Sequence, residues 1–239
     1  MPLRIVERRS PNHDARPDAA AIDILVLHYT GMKTADEALA RLCDPAARVS
    51  AHYTIDRDGC VYAHVPEERR AWHAGVSWWA GETDINARSI GIELVNPGHE
   101  FGYVPFLPEQ IEALIDLAGG ILARHPIPPV RVLGHSDVAP ARKEDPGELF
   151  PWPQLAEFGI GRWPVSSAAP AKSRSTLLPR AGKEDFVGSL ARYGYGTPPH
   201  VDWPIEKTVA AFQRHFRPAC IDGIADAECE SLLAALLAA

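Results

Sequence analysis

Short apolar runs alternate with amphipathic stretches along the first two thirds of the chain. The run ILVLH at 24–28 predicts a buried strand, because it is short, apolar and rich in β-branched side chains. SIGIELV at 89–95 and VRVL at 130–133 predict two more strands, and residues 108–125 show helical apolar spacing behind a proline. Strands interleaved with helices predict an α/β fold with a mixed central β-sheet flanked by helices.

Local signals mark two further elements. Thr34 is a candidate N-cap and Glu37 follows three residues later, which predicts a helix reaching about Leu42. The stretch SAHYTIDRDGCVYAHV predicts two strands joined by a turn at Asp58-Gly59, a dipeptide typical of hairpins. The sheet is therefore expected to include an antiparallel hairpin.

The pattern changes near residue 164. Residues 164–182 are rich in Ala, Ser and Pro without an apolar period, which predicts a linker between a domain at 1–163 and a smaller one at 183–239. Three helical patterns follow the linker, at 184–193, 205–216 and 227–236. A three-helix domain of this size is marginally stable alone, so we expect it to pack against its neighbour.

Composition and charge exclude several classes of protein. Hydrophobic residues make up 46% and charged residues 23%, as in ordinary globular domains. The net charge of −7, without a basic cluster, argues against nucleic acid as a partner. Every apolar run is too short for a membrane span, and no apolar segment follows the basic N-terminus. We therefore expect a cytoplasmic monomer, or a periplasmic protein if a leader has been removed.

The cysteines do not predict a site. Four are present, none in a C-x-x-C pair, and this is too sparse for a disulfide scaffold. A cysteine-dependent peptidase is a further alternative, but the chain lacks a recognisable nucleophile motif.

Two histidines and one aspartate are candidate metal ligands. His28 and His135 each lie at the C-terminal end of a predicted strand, where a sheet presents side chains to a crevice. Asp145 follows His135 by ten residues, in a loop long enough to fold back. Two histidines and a carboxylate, with a fourth position for water, are typical of catalytic zinc. Spacing alone is equally compatible with unrelated polar residues at strand ends.

Two charged residues add candidate chemistry. Glu93 lies within an apolar strand, facing away from its apolar neighbours, and a carboxylate there is costly unless it is paired, used or exposed to water. Lys143 precedes Asp145 by two residues, so both side chains point the same way in an extended loop. Together these residues would supply a base and a fixed positive charge beside the metal ligands.

Five ordered motifs between about residues 20 and 164 resemble the type 2 N-acetylmuramoyl-L-alanine amidases. They are LVLHYT, AHYTIDRDG, AWHAG, the stretch NARSIGIEL at 86–94, and GHSDVAPARKEDPG. These amidases are zinc enzymes related in fold to the peptidoglycan recognition proteins. The tail, with AAFQRHF and IDGIADAECESLLAAL, resembles the three-helix peptidoglycan-binding module. The resemblance implies the amidase fold plus a small C-terminal three-helix domain.

The resemblance also implies roles for the candidate residues. His28, His135 and Asp145 would bind one Zn²⁺ per chain. Glu93 would accept a proton from water and return it to the departing L-alanine amine. Lys143 would stabilise the oxyanion formed at the lactyl carbonyl. The bond broken joins the lactyl group of muramic acid to L-alanine.

Substrate contacts are implied at four positions. The resemblance implies that Trp72, His73 and Asn86 are the substrate-facing positions, and Tyr29, which follows the candidate ligand His28, is expected to line the site. A tryptophan face packs against sugar and an asparagine hydrogen-bonds amides, although Trp72 would also suit a core. Trp78 and Trp79 are expected to be an exposed aromatic pair suited to glycan. His52 and His64, on the predicted hairpin, are expected to be structural.

The expected substrate is a muropeptide or peptidoglycan. Without an export signal, the enzyme would meet soluble 1,6-anhydro-muropeptides in cytosolic recycling. The C-terminal module favours the alternative of a wall-remodelling amidase acting on polymeric peptidoglycan in the periplasm. A non-catalytic recognition protein is a further alternative, but a pure binder has no need for the complete set of ligands, base and lysine.

Overall fold

The computed structural model describes residues 3–17, 20–164 and 176–238. Its strands are β1 (Ile5–Glu7), β2 (His13–Ala15), β3 (Ile24–Tyr29), β4 (Tyr53–Ile55), β5 (Val61–Ala63), β6 (Arg69–Ala71), β7 (Ser89–Leu94) and β8 (Val132–Gly134). Its helices are α1 (Ala35–Cys43), α2 (Ile85–Arg88), α3 (Gly98–Phe101), α4 (Pro108–Arg124), α5 (His135–Val138), α6 (Trp152–Glu157), α7 (Arg180–Tyr193), α8 (Ile205–Phe216) and α9 (Ala227–Ala238). Short 3-10 helices lie at Pro45–Ala47 and Pro129–Arg131.

Six strands form the central sheet in the order β1-β5-β4-β7-β3-β8. β3 pairs in parallel with both β7 and β8, whereas β4 and β5 pair antiparallel around the predicted turn. The sheet is therefore mixed, and both the fold class and the hairpin are confirmed. β2 and β6 form a separate antiparallel pair.

Alternation along β3 gives the sheet two different faces. Leu25 and Leu27 belong to the core under α4, and this side is called the α4 face. Ile24 and Val26 belong to a second core that includes the C-terminal helices, and this side is called the site face. Because side chains alternate along a strand, His28 continues the site face.

Most predicted boundaries are confirmed. Thr34 caps α1, its Oγ1 accepting from the N–H of Glu37 at 3.2 Å. The strand predicted at 130–133 begins only at Val132, because consecutive prolines before it impose a 3-10 turn.

The predicted linker at 164–182 extends too far. α7 begins at Arg180, directly after Pro179 in extended conformation, and a proline at this position is compatible with a helix start. Residues 165–175 of the predicted linker lie outside the described residues.

The C-terminal helices pack against the rest of the chain, as expected. Phe186 of α7 and Phe212 of α8 share one hydrophobic core with Ile24 of the sheet. Trp79 is 1% exposed in the same core, with its ring 4.9 Å from that of Tyr195. The expectation of an exposed Trp78–Trp79 pair is therefore wrong for Trp79, because the C-terminal helices cover it.

Trp78 is half-buried and stacks on His200, with ring centroids 5.9 Å apart. No helix in the described part of the chain combines the length and the apolar character needed to cross a membrane.

Candidate active site

Two histidines and an aspartate meet at the C-terminal ends of β3 and β8. His28 is the fifth residue of β3, and His135 follows β8 directly as the first residue of α5. Asp145 reaches them from the loop beyond α5. The Nδ1 atoms of the two histidines are 2.9 Å apart, and each lies 3.0 Å from Oδ2 of Asp145. All three residues are buried, so the structure brings together the three predicted ligands.

This donor set fits a zinc ion. Ligand atoms of a tetrahedral zinc site, with bonds of about 2.0–2.1 Å, lie roughly 3.3 Å from one another. Burial, followed by the charge of His135, lowers the pKa of His28 to about 4, which keeps its imidazole neutral and able to ligate. Burial acts to raise the pKa of Asp145, but His135 and His28 together hold it well below its ordinary value. The aspartate is therefore ionised.

A chain of hydrogen bonds orients the ring of His28. With Nδ1 directed at the metal position, Nε2 carries the proton and donates to Nδ1 of His73 at 3.0 Å. Nε2 of His73 then donates to Ser89 Oγ at 3.1 Å, and Ser89 donates to the carbonyl of Ile85 at 2.7 Å. Gly91 leaves room for the ring of His73, because a Cβ at Gly91 would lie 2.5 Å from Cγ of His73. Such outer contacts fix the tautomer of a metal ligand.

The ring of His135 is oriented by a backbone carbonyl. Its Nε2 donates to the carbonyl of Ala74 at 3.1 Å. Arg142 donates to the same carbonyl, and to the carbonyl of Val76 at 2.7 Å. The guanidinium therefore holds the loop after β6 beside the ligand. Arg142 was not among the candidate residues, although it lies within the GHSDVAPARKEDPG motif.

Asn86 also holds the loop after β6, through hydrogen bonds to its backbone. Its Oδ1 accepts from the backbone N–H groups of His73 at 3.1 Å and Ala74 at 2.8 Å. The side chain is buried, and the cavities at the metal position are lined by other described residues. Oδ1 of Asn86 is therefore occupied by the backbone that positions His73, and a substrate contact at Asn86 stays a prediction.

Glu93 lies beside the ligands on the site face. It is paired with His28 in the register of β7 and β3, and it lines a cavity of about 180 Å³ together with Lys143, Asp145 and His135. Its Oε2 is buried and makes no hydrogen bond to any described residue. Burial, reinforced by the charge of Asp145, raises the pKa of Glu93 well above its ordinary value.

A larger cavity of about 630 Å³ adjoins the first, and Tyr29, Lys143 and Asp145 line both. The Tyr29 hydroxyl lies 2.8 Å from Nδ1 of His99. Tyr29 therefore borders the site as expected.

Trp72 and His73 differ in their surroundings. His73 is buried against His28 and lines the smaller cavity. Trp72 is half-buried and its Nε1 lacks a partner among the described residues. A substrate contact at Trp72 stays a prediction. His52 and His64 are buried and hydrogen-bonded to strand neighbours, as expected of structural residues.

A family model described as N-acetylmuramoyl-L-alanine amidase matches residues 18–148. The chain belongs to this amidase family. The N-acetylmuramoyl-L-alanine amidase AmiD of Escherichia coli is 42% identical, over 98% of this chain and 90% of its own length. The 1,6-anhydro-N-acetylmuramyl-L-alanine amidase AmpD of Enterobacter cloacae is 36% identical, over 60% of this chain and 83% of its own.

Two solved structures show the same architecture. A complex of E. coli AmiD with the substrate anhydro-N-acetylmuramic acid-L-Ala-D-gamma-Glu-L-Lys superposes with a TM-score of 0.81, covering 93% of this chain and 91% of that one, at 41% identity. AmpDh3 from Pseudomonas aeruginosa, in complex with anhydromuramic pentapeptide, gives a TM-score of 0.77 with 90% of each chain covered, at 38% identity. In both cases the match extends over more of the chain than the residues that the family model matches.

Proposed function

We propose that this amidase is zinc-dependent and acts on soluble 1,6-anhydro-muropeptides in peptidoglycan recycling, cleaving the amide between the lactyl group of muramic acid and L-alanine. The observation that carries the chemistry is the buried group of His28, His135 and Asp145, two of which, His135 and Asp145, line a cavity together with Glu93 and Lys143. This arrangement joins a metal site, a base and a cation at one position.

The three ligands would hold Zn²⁺ through two imidazole Nδ1 atoms and one carboxylate oxygen, which is a common set for catalytic zinc. Bound zinc supplies Lewis acidity, lowering the pKa of water and polarising a carbonyl oxygen. His73 and the carbonyl of Ala74 hold the two imidazoles in the tautomer that this ligation requires.

Glu93 serves as the general base and acid. Burial raises its pKa, which makes its carboxylate a stronger base than that of an exposed glutamate. It removes a proton from water as the water oxygen bonds to the lactyl carbon. The same proton then passes to the nitrogen of L-alanine as the carbon–nitrogen bond breaks. Lys143, on the same cavity, stabilises the negative charge on the carbonyl oxygen.

The choice of an anhydro substrate rests on relatives that match most of the chain. E. coli AmiD and P. aeruginosa AmpDh3 have both been solved with anhydromuramic peptides. We also propose that this recycling takes place in the cytoplasm. Cell fractionation with an antibody to the chain tests this location, and recovery with the envelope would contradict it.

The decisive experiment compares three substrates, each with and without a zinc chelator: anhydromuramyl-peptide, reducing muramyl-peptide and intact sacculi. Chromatography with mass spectrometry should show chelator-sensitive release of peptide from the anhydro form. Comparable release from sacculi would instead favour a wall-remodelling enzyme. Absence of release from all three would favour a recognition protein.

The variant Glu93→Gln tests the base. It keeps the shape of the side chain and removes its proton affinity, so hydrolysis should fall about 10²–10⁴-fold. The zinc content, measured by atomic emission, should stay at the wild-type value. A hydrolysis rate equal to that of the wild type would exclude Glu93 as the base.

A further inference from the structure

A buried polar cluster connects the metal site to the C-terminal helices. Asp137 lies on α5, two residues after His135, and is 1% exposed. Its Oδ1 accepts from the Tyr195 hydroxyl at 2.7 Å, and its Oδ2 lies 2.7 Å from Nδ1 of His215. Oδ2 also accepts from the backbone N–H of Gly134 at 2.7 Å. Along the chain, Tyr195 lies 58 residues and His215 lies 78 residues after Asp137.

α5 depends on such contacts. It contains four residues, and a helix this short cannot repay its nucleation cost without tertiary support. Gly134, whose N–H is bonded to Asp137, is the residue directly before that helix, and His135 follows it immediately. The carboxylate of Asp137 therefore fixes the turn of backbone that aims the imidazole of His135.

His215 is itself held firmly. Its ring stacks on Trp152 of α6 at a centroid distance of 3.8 Å and on Phe216 at 3.9 Å. Its side chain is 3% exposed, and that of Asp137 is 0% exposed. A ring packed in this way presents Nδ1 to Asp137 in one orientation.

Arg214, the residue before His215 on α8, contacts the loop that carries the ligand Asp145. Arg214 Nη2 lies 3.3 Å from Oε1 of Glu144, the residue before the ligand Asp145. This ion pair is partly exposed and weak by itself. Consecutive residues of one helix thus contact neighbours of two metal ligands.

We propose that the C-terminal helices position the metal centre, with Tyr195 and His215 acting as positioning residues for His135 through Asp137. This inference rests on the proposed zinc-dependent function. It assigns the C-terminal helices a role in the affinity of the active site for its metal, independent of any contact with glycan.

The test measures metal affinity rather than activity. The double variant Tyr195→Phe/His215→Leu removes both donors to Asp137 from the C-terminal part. Competition with a chromophoric chelator should show Zn²⁺ bound about 10–100-fold more weakly than by the wild type, as for other outer contacts of zinc ligands. The single variant Tyr195→Phe, which deletes one oxygen, should show a smaller loss in the same direction, and it decides the question if the double variant fails to fold.

Tyr193→Phe is the matched control. Tyr193 belongs to the same aromatic cluster, with its ring 6.1 Å from that of Tyr195, but within the described residues its hydroxyl is not bonded to Asp137. The zinc affinity of the Tyr193→Phe variant should equal that of the wild type. The single variants His215→Leu and His215→Asn are compared in the same way. His215→Asn keeps a donor near the position of Nδ1, so it should bind Zn²⁺ more tightly than His215→Leu.

Two outcomes would overturn the inference in distinguishable ways. If the double variant and Tyr195→Phe bind zinc as tightly as the wild type while melting at a lower temperature, the cluster stabilises the fold without positioning the metal. If the wild type itself fails to bind zinc, the proposed metal centre is wrong and this inference falls with it.

Discussion

The two faces of the central sheet are built from the same strands but differ in chemistry. On the α4 face, Leu25 and Leu27 of β3 pack with Ile90 and Ile92 of β7 in an apolar core. On the site face, the last side chains of the same two strands are His28 and Glu93. A polar group buried there needs a hydrogen-bond partner or a role in the chemistry. The α4 face therefore stabilises the fold by burying apolar side chains. The site face also buries ionisable side chains, which are held in position by hydrogen bonds.

Neighbouring residues of β3 provide the sharpest test of this difference. The variant His28→Ala removes a metal ligand, so the enzyme should lose several kcal/mol of transition-state stabilisation, or about 10³-fold or more in kcat/KM. Its circular dichroism spectrum should match that of the wild type. Retention of chelator-sensitive activity would show that His28 does not ligate the metal.

Leu27→Ala should have the opposite profile. It truncates a fully buried side chain on the α4 face, and the expected loss in the free energy of unfolding is about 2–5 kcal/mol. Urea denaturation of the metal-free protein measures this loss. Zinc affinity and kcat/KM of the folded fraction should remain near wild type, and a large change in either would mean that the two faces are coupled.

The pH dependence of stability should originate on the site face. His64 donates from Nδ1 to the carbonyl of Arg8 and accepts at Nε2 from Thr54, and burial lowers its pKa to about 4. Its unfolded pKa is about 6.5, so the unfolded chain takes up a proton first and stability falls as the pH drops from 6.5 towards 4. Between pH 7 and 5 this residue should account for about 2 kcal/mol.

The variant His64→Gln isolates that contribution. Its free energy of unfolding should decline less steeply between pH 7 and 5 than that of the metal-free wild type, whatever its stability at pH 7. Identical slopes for the two proteins would assign the acid sensitivity to other buried histidines.

The smallest expected effect concerns the cap of α1, a helix that borders the smaller cavity through Ala38 and Leu42. Thr34→Ala removes the hydroxyl that accepts from the N–H of Glu37, which should cost about 1 kcal/mol of stability. Activity at 25 °C should be unchanged. A substantial loss of kcat/KM would indicate that α1 takes part in forming the site.

Much of the site could be predicted because its residues lie on regular strands or in motifs. The alternation of apolar positions placed Glu93 opposite the α4 core. The ends of two predicted strands made His28 and His135 candidate ligands, and the resemblance to the amidase family brought them together with Asp145. Asn86 and Trp79 could not be assigned in this way. Their roles depend on the backbone of His73 and on Tyr195, neither of which a local pattern reveals.

By itself, the sequence determined the mixed sheet, the capped helix and the hairpin, because each depends on periodicity or turn chemistry within a short stretch. The three candidate ligands came from the ends of predicted strands and from motifs that resemble the amidase family. Tertiary structure decided how those ligands are aimed. α5 is too short to form from its own propensity, and the carboxylate of Asp137 acquires its two side-chain partners only when Tyr195 and His215 fold against it. Burying a polar group requires a partner, and that partner can come from any part of the chain.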